Sequence, residues 1–320
     1  MSPNGAAADL GAWVDAYLLE SLARGHSRGT VAYRRVYLGQ LVRWLGERGS
    51  GRVVALTART LAEYAEHLAH RQTSYNRPVP TLVSATTLAA AVSVVRSFGA
   101  WLAARDLLPA NPAEDIRVGR RAALSPKPIP NVAEMARLLD TPGDDALGLR
   151  DRAILETLYS TGLRRAELCG LDLYDVDLCA ETVFVRDGKG GKDRVVPIGA
   201  TAIVAVRRYL RQARPLLLGG VEEQAVFLAS ITRRRLGVKT LNRIVQKHGE
   251  AAGLGKRITP HLLRHACSTH LLQGGAATRH VQAILGHASI GTTQIYTRVA
   301  VDDVIAGHAR HHPRDRLTIP

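Results

Sequence analysis

His261-Leu-Leu-Arg264-His265, then Leu285-Gly-His287, then Thr292-Thr-Gln-Ile-Tyr296 crowd the end of this 320-residue chain. Thr259-Pro260 precedes them as a good N-cap and first-turn pair. His261 and Arg264 therefore fall one turn apart on one helix face, where N-terminal amides favour an anion. His265 stands at i+4 from His261, a spacing that also suits a metal-binding pair. A zinc protease would want Glu beside the first histidine; Leu262 stands there, so no metal is expected. Histidine moves protons, arginine grips phosphate in a planar fork, and tyrosine can act as a covalent nucleophile. The stretch therefore asks the rest of the chain for a phosphate, further cations and a means of holding nucleic acid.

Composition bounds the partners. The net charge is +15, with six lysines against 37 arginines. A field of that size attracts polyanions, nucleic acid first. The arginine bias is also what a GC-rich coding sequence produces, so a single lysine carries more information than a single arginine. A membrane surface is the second candidate, but neither end reads as a basic amphipathic helix with bulky apolar residues. No uninterrupted apolar run of membrane-spanning length is expected, and Met1–Leu10 lacks the basic start and apolar core of a signal peptide. Cys169, Cys179 and Cys267 form no C-x-x-C pair, which speaks against a disulfide scaffold and suits a reducing cytoplasm. The expectation is a cytoplasmic, nucleoid-associated protein with no membrane partner.

Periodicity divides the chain. Helices are expected at 9–24, 28–47, 57–71 and 84–105, from stripes such as Leu38, Leu41, Val42 and Leu45. No strand pattern precedes residue 115, so residues 1–115 read as an all-helical domain. Residues 116–130 read as a basic linker with Arg117, Arg120, Arg121 and Lys127, three prolines and no acid; it is either a solvated tether or a strap across a DNA backbone. A capping box, Asn131 with Glu134, opens the second domain, 131–298. Helices are expected there at 150–161, 200–214, 238–252, 260–274 and 277–285, with a short one around Tyr296. Thr182-Val-Phe-Val-Arg186 and Arg194-Val-Val-Pro197 flank a Gly-rich turn and read as a hairpin. Arg233, Arg234, Arg235, Lys239, Arg243 and Lys247 run without an acid and are expected to face phosphates. The whole is mainly α, two domains, the second α+β with a small antiparallel sheet.

Cutting a phosphodiester defines a list of needs. The transition state gathers negative charge on non-bridging oxygens, which two arginines can hold bidentately. A phenol of pKa about 10 ionises far more easily than an aliphatic alcohol. The departing sugar oxygen is a poor alkoxide and needs a general acid. Arg164 supplies the second arginine, just after a glycine turn in Tyr159-Ser-Thr-Gly-Leu-Arg164-Arg-Ala-Glu167-Leu, and Glu167 one turn on is placed to orient it. Taken alone, that pair is an ordinary i,i+3 ion pair of little worth. Lys189, on the tip of the hairpin, is the candidate acid. Gly188-Lys-Gly-Gly-Lys192-Asp193 lacks the spacer and hydroxyl of a phosphate-binding loop, and by itself it is a charged turn.

Thr161-Gly-Leu-Arg164-x-x-Glu167-Leu, Gly188-Lys189-Gly, His261-x-x-Arg264-His265, Leu-Gly-His287 and Tyr296 resemble, in order and spacing, the tyrosine recombinase (phage integrase) family. Over about 160–298 the match is in specific motifs; in the N-terminal half it is one of layout, to that family's core-binding, SAM-like domain. The tail His308-Ala-Arg-His311-His312-Pro313-Arg314 is most similar to the Xer-type branch.

The resemblance implies that Tyr296 attacks the scissile phosphate, forming a 3′-phosphotyrosine. Arg164 and Arg264 clamp it, Lys189 protonates the leaving 5′-oxygen, His261 assists the tyrosine's proton and His287 hydrogen-bonds the phosphate. Glu167 and His265 are supporting residues. It implies no cofactor and no metal. It also implies double-stranded DNA with a specific site as partner, a dimer on each site, a homo- or hetero-tetramer joining two duplexes through a Holliday junction, and a segment 299–320 that docks on a neighbouring protomer through Val301, Val304 and Ile305. Alternatives are a type IB topoisomerase-like DNA relaxation, disfavoured by the core-binding layout and the tail, and a non-catalytic DNA-binding regulator, disfavoured by the full catalytic set. Chromosome-dimer resolution and mobile-element integration or excision both fit.

Overall fold

The computed structural model describes residues 9–73, 81–117, 129–186, 193–286 and 298–316. The chain divides into two compact units, Met1–Pro126 and Lys127–Pro320.

The first unit holds α1 (Leu10–Ala23), α2 (Arg28–Gly46), α3 (Ala58–His70) and α4 (Ala85–Ala103), with a short 3-10 turn, Val53–Ala55. Each α-helix starts where a short polar side chain accepts a backbone N–H of the first turn. Asp9 takes Ala12 N, Ser27 takes Thr30 N, Thr57 takes Thr60 N and Ser84 takes Thr87 N. Between α3 and α4, where no strand pattern was expected, the structure adds a two-residue pairing, β1 (Gln72–Thr73) with β2 (Thr81–Leu82), antiparallel. Pairs this short carry no hydrophobic alternation, so no period marks them. The core gathers Leu38, Leu41, Leu45, Leu61, Phe98 and Leu102. Tyr17 stands edge-on to Trp101 at 5.5 Å. Helix α4 is long and apolar enough by length and composition to cross a membrane. It is interrupted by Arg96, whose guanidinium bonds the carbonyls of Ala113 and Ile116, and its buried face belongs to this core.

The second unit runs α5 (Val132–Asp140), α6 (Ala146–Thr161), α7 (Arg165–Gly170), a 3-10 turn, and the strands β3 (Val176–Asp177), β4 (Thr182–Val185) and β5 (Arg194–Pro197). Then follow α8 (Ala200–Arg208), a π turn at Tyr209–Ala213, α9 (Arg214–Leu218), α10 (Val238–Ala251), α11 (Pro260–Gln273), α12 (Thr278–Leu285), α13 (Arg298–His311) and α14 (Pro313–Arg316). The hairpin β4–β5 pairs Val183 with Val196 and Val185 with Arg194, and β3 extends it to a three-stranded antiparallel sheet. The expected capping box forms: Asn131 Oδ1 accepts Glu134 N at 2.8 Å, and Glu134 Oε2 accepts Asn131 N at 2.8 Å.

Helix α6 is the spine, buried on nearly every face. Its polar side chains therefore need internal partners. Arg150 and His248 both bond Asp151, Thr157 and Thr161 bond carbonyls one turn back, and Glu156 takes Arg314 from α14. In this single chain the tail packs against α6, with Val304 buried in the core and Arg314 bridging Glu156 and Asp140. A buried carboxylate on α6 needs a cation, and the tail of the same chain supplies it.

Candidate active site

Two glycine-terminated helices place the arginines. Helix α6 ends at Gly162, left-handed at φ 60°. A Cβ there would also lie 3.0 Å from Leu285 Cδ2, so both conformation and space require glycine. The chain then turns to put Arg164 at the head of α7. Helix α12 ends the same way at Gly286, φ 63°, one residue before His287.

Arg264 ties these two turns together. Its Nη1 donates to Gly162 O at 2.7 Å and its Nη2 to Leu285 O at 2.6 Å. The residue is buried. Burial, then the nearby positive charge of Arg164, lowers its guanidinium to about 10. A cation held at an energetic disadvantage beside a second cation is a site waiting for an anion.

Glu167 organises the other side. Its carboxylate accepts Arg164 N at 2.8 Å and Arg164 Nη1 at 2.7 Å. Arg194, on β5, adds two parallel hydrogen bonds at 2.9 and 2.8 Å. Arg194 also donates to Ile284 O, linking the sheet to the end of α12. Burial alone would raise the Glu167 carboxyl; the hydrogen bonds from Arg194 and Arg164 outweigh it and hold the group at about 2. Glu167 is thus a charged brace between the buried Arg194 and the half-exposed Arg164.

A cleft of about 590 Å³ opens over this arrangement, lined by Arg164, Arg165, Asn242, Gln246, Arg257, His261 and Arg264. His261 is exposed in the first turn of α11, where Thr259 Oγ1 accepts Leu262 N as the cap. His265 is exposed one turn along the same face. Among the described residues, neither belongs to a group of three side chains able to hold a metal ion.

The structure thus brings Arg164, Glu167, His261 and Arg264 to one place. Lys189, His287 and Tyr296 lie outside the described residues, as do Arg120, Arg121 and Lys127. Arg117 is exposed at the end of the first unit. Lys239, Arg243 and Lys247 form an exposed stripe at i, i+4 and i+8 along α10. The preceding run is different. Arg235 pairs with Asp172 and donates to the carbonyls of Cys169 and Leu171, Arg233 donates to Gly219 O, and Arg234 to Glu222 O. An arginine run without a local acid was expected to face phosphates; for Arg235 the acid comes from more than sixty residues upstream. Arg165, Arg194 and Arg257 were missed. Arg194 opens a strand and read only as β pattern, although a charge at an inward-facing strand position is itself a signal.

Residues 131–302 match the phage integrase family. The chain belongs to that family, the tyrosine recombinases, and is a site-specific recombinase of the Xer type. It is 38% identical to tyrosine recombinase XerC 2 of Ralstonia nicotianae over 94% of this chain and 85% of that protein. It is 36% identical to tyrosine recombinase XerD of Mycobacterium tuberculosis over 92% of this chain and 95% of that protein. The fold is similar to a lambda integrase tetramer bound to a Holliday junction, with TM-score 0.64 and 16% identity over 90% of this chain and 76% of that one.

Proposed function

We propose that this chain cuts and rejoins double-stranded DNA at a specific site through a 3′-phosphotyrosine. The observation that carries it is the convergence of Arg164, Arg264 and His261 on one cleft whose electrostatics favour an anion. The scissile phosphate sits between the two guanidinium groups. Tyr296 Oη attacks phosphorus as His261 receives the phenolic proton, and His287 hydrogen-bonds a non-bridging oxygen. The P–O5′ bond breaks, and Lys189 gives a proton to the departing 5′-oxygen. A 5′-hydroxyl from the exchanging strand then attacks the phosphotyrosine, restoring a diester and freeing the phenol. One phosphoester replaces another at each step, so no ATP is needed.

Helix α12 ends one residue before His287, and Arg264 and Arg194 both bond its last carbonyls. The same two arginines therefore fix both the clamp and the point from which the His287–Tyr296 segment departs. Helix α10's exposed Lys239, Arg243 and Lys247, with Arg117, Arg120, Arg121 and Lys127, would meet the DNA backbone. The first unit serves as the core-binding domain. Relatives whose solved forms are DNA-bound tetramers or dimers motivate a tetramer on two duplexes exchanging strands through a Holliday junction. Resolution of chromosome dimers and movement of a mobile element both use this chemistry.

The test is a nicked suicide duplex carrying the cognate site. Wild type should accumulate a covalent DNA adduct, and Tyr296→Phe should bind the same duplex and form none. Adduct formation by Tyr296→Phe would remove the nucleophile assignment. Relaxation of supercoils by isolated protomers would favour the topoisomerase alternative.

A further inference from the structure

The tail and the spine enclose a second cluster, away from the cleft. His308 on α13, His312 just beyond it and Asp315 on α14 offer one ligand atom each, all within 4.8 Å of one another. His308 is 2% exposed and His312 0%. Both histidines have their ring tautomer fixed by α6. His308 Nε2 lies 2.7 Å from Ser160 O, and His312 Nε2 lies 3.2 Å from Tyr159 O. A carbonyl only accepts, so each Nε2 carries a hydrogen, which makes Nδ1 the ligand-capable atom of each ring. Both Nδ1 atoms face Asp315 Oδ2, at 3.5 Å from His308 and 4.0 Å from His312. The rings lie nearly parallel, 4.8 Å apart at 9°, so one must turn about its Cβ–Cγ bond before both Nδ1 lone pairs meet at one ion.

His312 Nδ1 and Asp315 Oδ2 thus face one another, with His308 Nδ1 beside them. His312 Nδ1 and Asp315 Oδ2 are buried and make no hydrogen bond. Buried orphans of this kind are costly, more so when charged, unless something positive is shared among them. The surroundings orient the carboxylate. Thr201 N donates to Oδ1, and Oδ2 occupies space that only a glycine at 199 leaves open, since a Cβ there would sit 2.1 Å away. Ligand histidines that donate their other N–H to a carbonyl, and a ligand carboxylate held by a backbone N–H, are the usual outer shell of a metal site.

We propose that His308 Nδ1, His312 Nδ1 and Asp315 Oδ2 are the protein ligands of a divalent transition-metal ion of the zinc type. Bonds of about 2.0–2.2 Å set tetrahedral ligand atoms roughly 3.4 Å apart, so the narrowest pair already fits and the wider ones close by about an ångström. The ion fastens α13 and α14 to the last turn of α6, which ends three residues before Arg164. It is a structural staple for the tail and takes no part in phosphoryl transfer.

The test uses the full chain without a polyhistidine tag, incubated with zinc and then freed of excess metal. About one zinc per chain, removable by chelator with a melting temperature lower by several degrees, is the expected result. His308→Gln and Asp315→Asn should each lose the zinc, while His265→Ala, on the cleft side, should keep it. Cobalt(II) supplies a readout on wild type alone: a visible absorption band of a four-coordinate site that zinc abolishes. Less than about 0.1 zinc per wild-type chain overturns the proposal. So does a full zinc complement retained by folded His308→Gln and Asp315→Asn.

Discussion

Arg194 holds Glu167 with both arms of its guanidinium, at 2.9 and 2.8 Å, while the same carboxylate holds Arg164 through its N–H and its Nη1. One carboxylate thereby positions a candidate phosphate-binding arginine against a residue nearly thirty positions away, on a different element.

Removing Arg194 should therefore reach Arg164 without touching it. Arg194→Ala leaves a buried carboxylate half-compensated, and breaking such a pair costs about 3 kcal/mol. Arg194→Lys keeps the charge and loses the fork, so its adduct yield should fall between wild type and Arg194→Ala. Urea unfolding and the suicide-duplex assay measure the two effects separately. Unchanged values for both variants would deny Glu167 its bracing role.

Acid should weaken the same brace. The folded Glu167 carboxyl lies at about 2, against 4.5 for the free group. The group binds fewer protons folded than unfolded between those values. Its contribution, about 3 kcal/mol, is complete above about pH 4.5 and is lost as pH falls towards 2. In Glu167→Gln the loss of stability between about pH 6 and pH 3 should be smaller than in wild type. Equal losses in the two proteins would place the acid sensitivity elsewhere.

The packing of the tail on α6 is open to the same kind of measurement. Burial raises the Glu156 carboxyl, and Arg314 opposes that rise. Arg314→Ala should destabilise the chain by about 3 kcal/mol, and adding Glu156→Gln should restore part of it, because the uncompensated charge is gone. A double variant no more stable than the single one would show that Arg314 acts by packing alone.

Salt reports on the basic residues that face solvent. Alanine at Arg117, Arg120 and Arg121 together should lower DNA affinity. It should also flatten the salt dependence by up to about 0.9 log unit for each phosphate no longer neutralised. Arg235→Ala should leave that slope alone and lower stability instead, since its guanidinium is engaged by Asp172 and two carbonyls. A lowered slope for Arg235→Ala would return it to the DNA-facing set.

Much of the fold was legible because its signals are local. Asp9, Ser27, Thr57, Ser84 and the Asn131–Glu134 box mark helix starts through side chains that reach only three residues. Gly162 and Gly286 mark ends through a backbone sign few other residues tolerate. The β1–β2 pairing and β3 are two residues each, too short to show a period. Arg194 escaped notice because its partner, Glu167, belongs to another element.

By itself, the sequence determined that the chain is mainly helical in two parts and marked His261, Arg264 and Arg164 as candidates, since cap, period and motif spacing are properties of neighbouring residues. Only the tertiary structure decided which charges are free and which are matched. It paired Arg235 with Asp172, made Arg194 the brace of Glu167, and laid the tail on its own α6. The physical reason is common to all three: a buried or half-buried charge takes its nearest opposite partner in space, and distance along the chain does not constrain that choice.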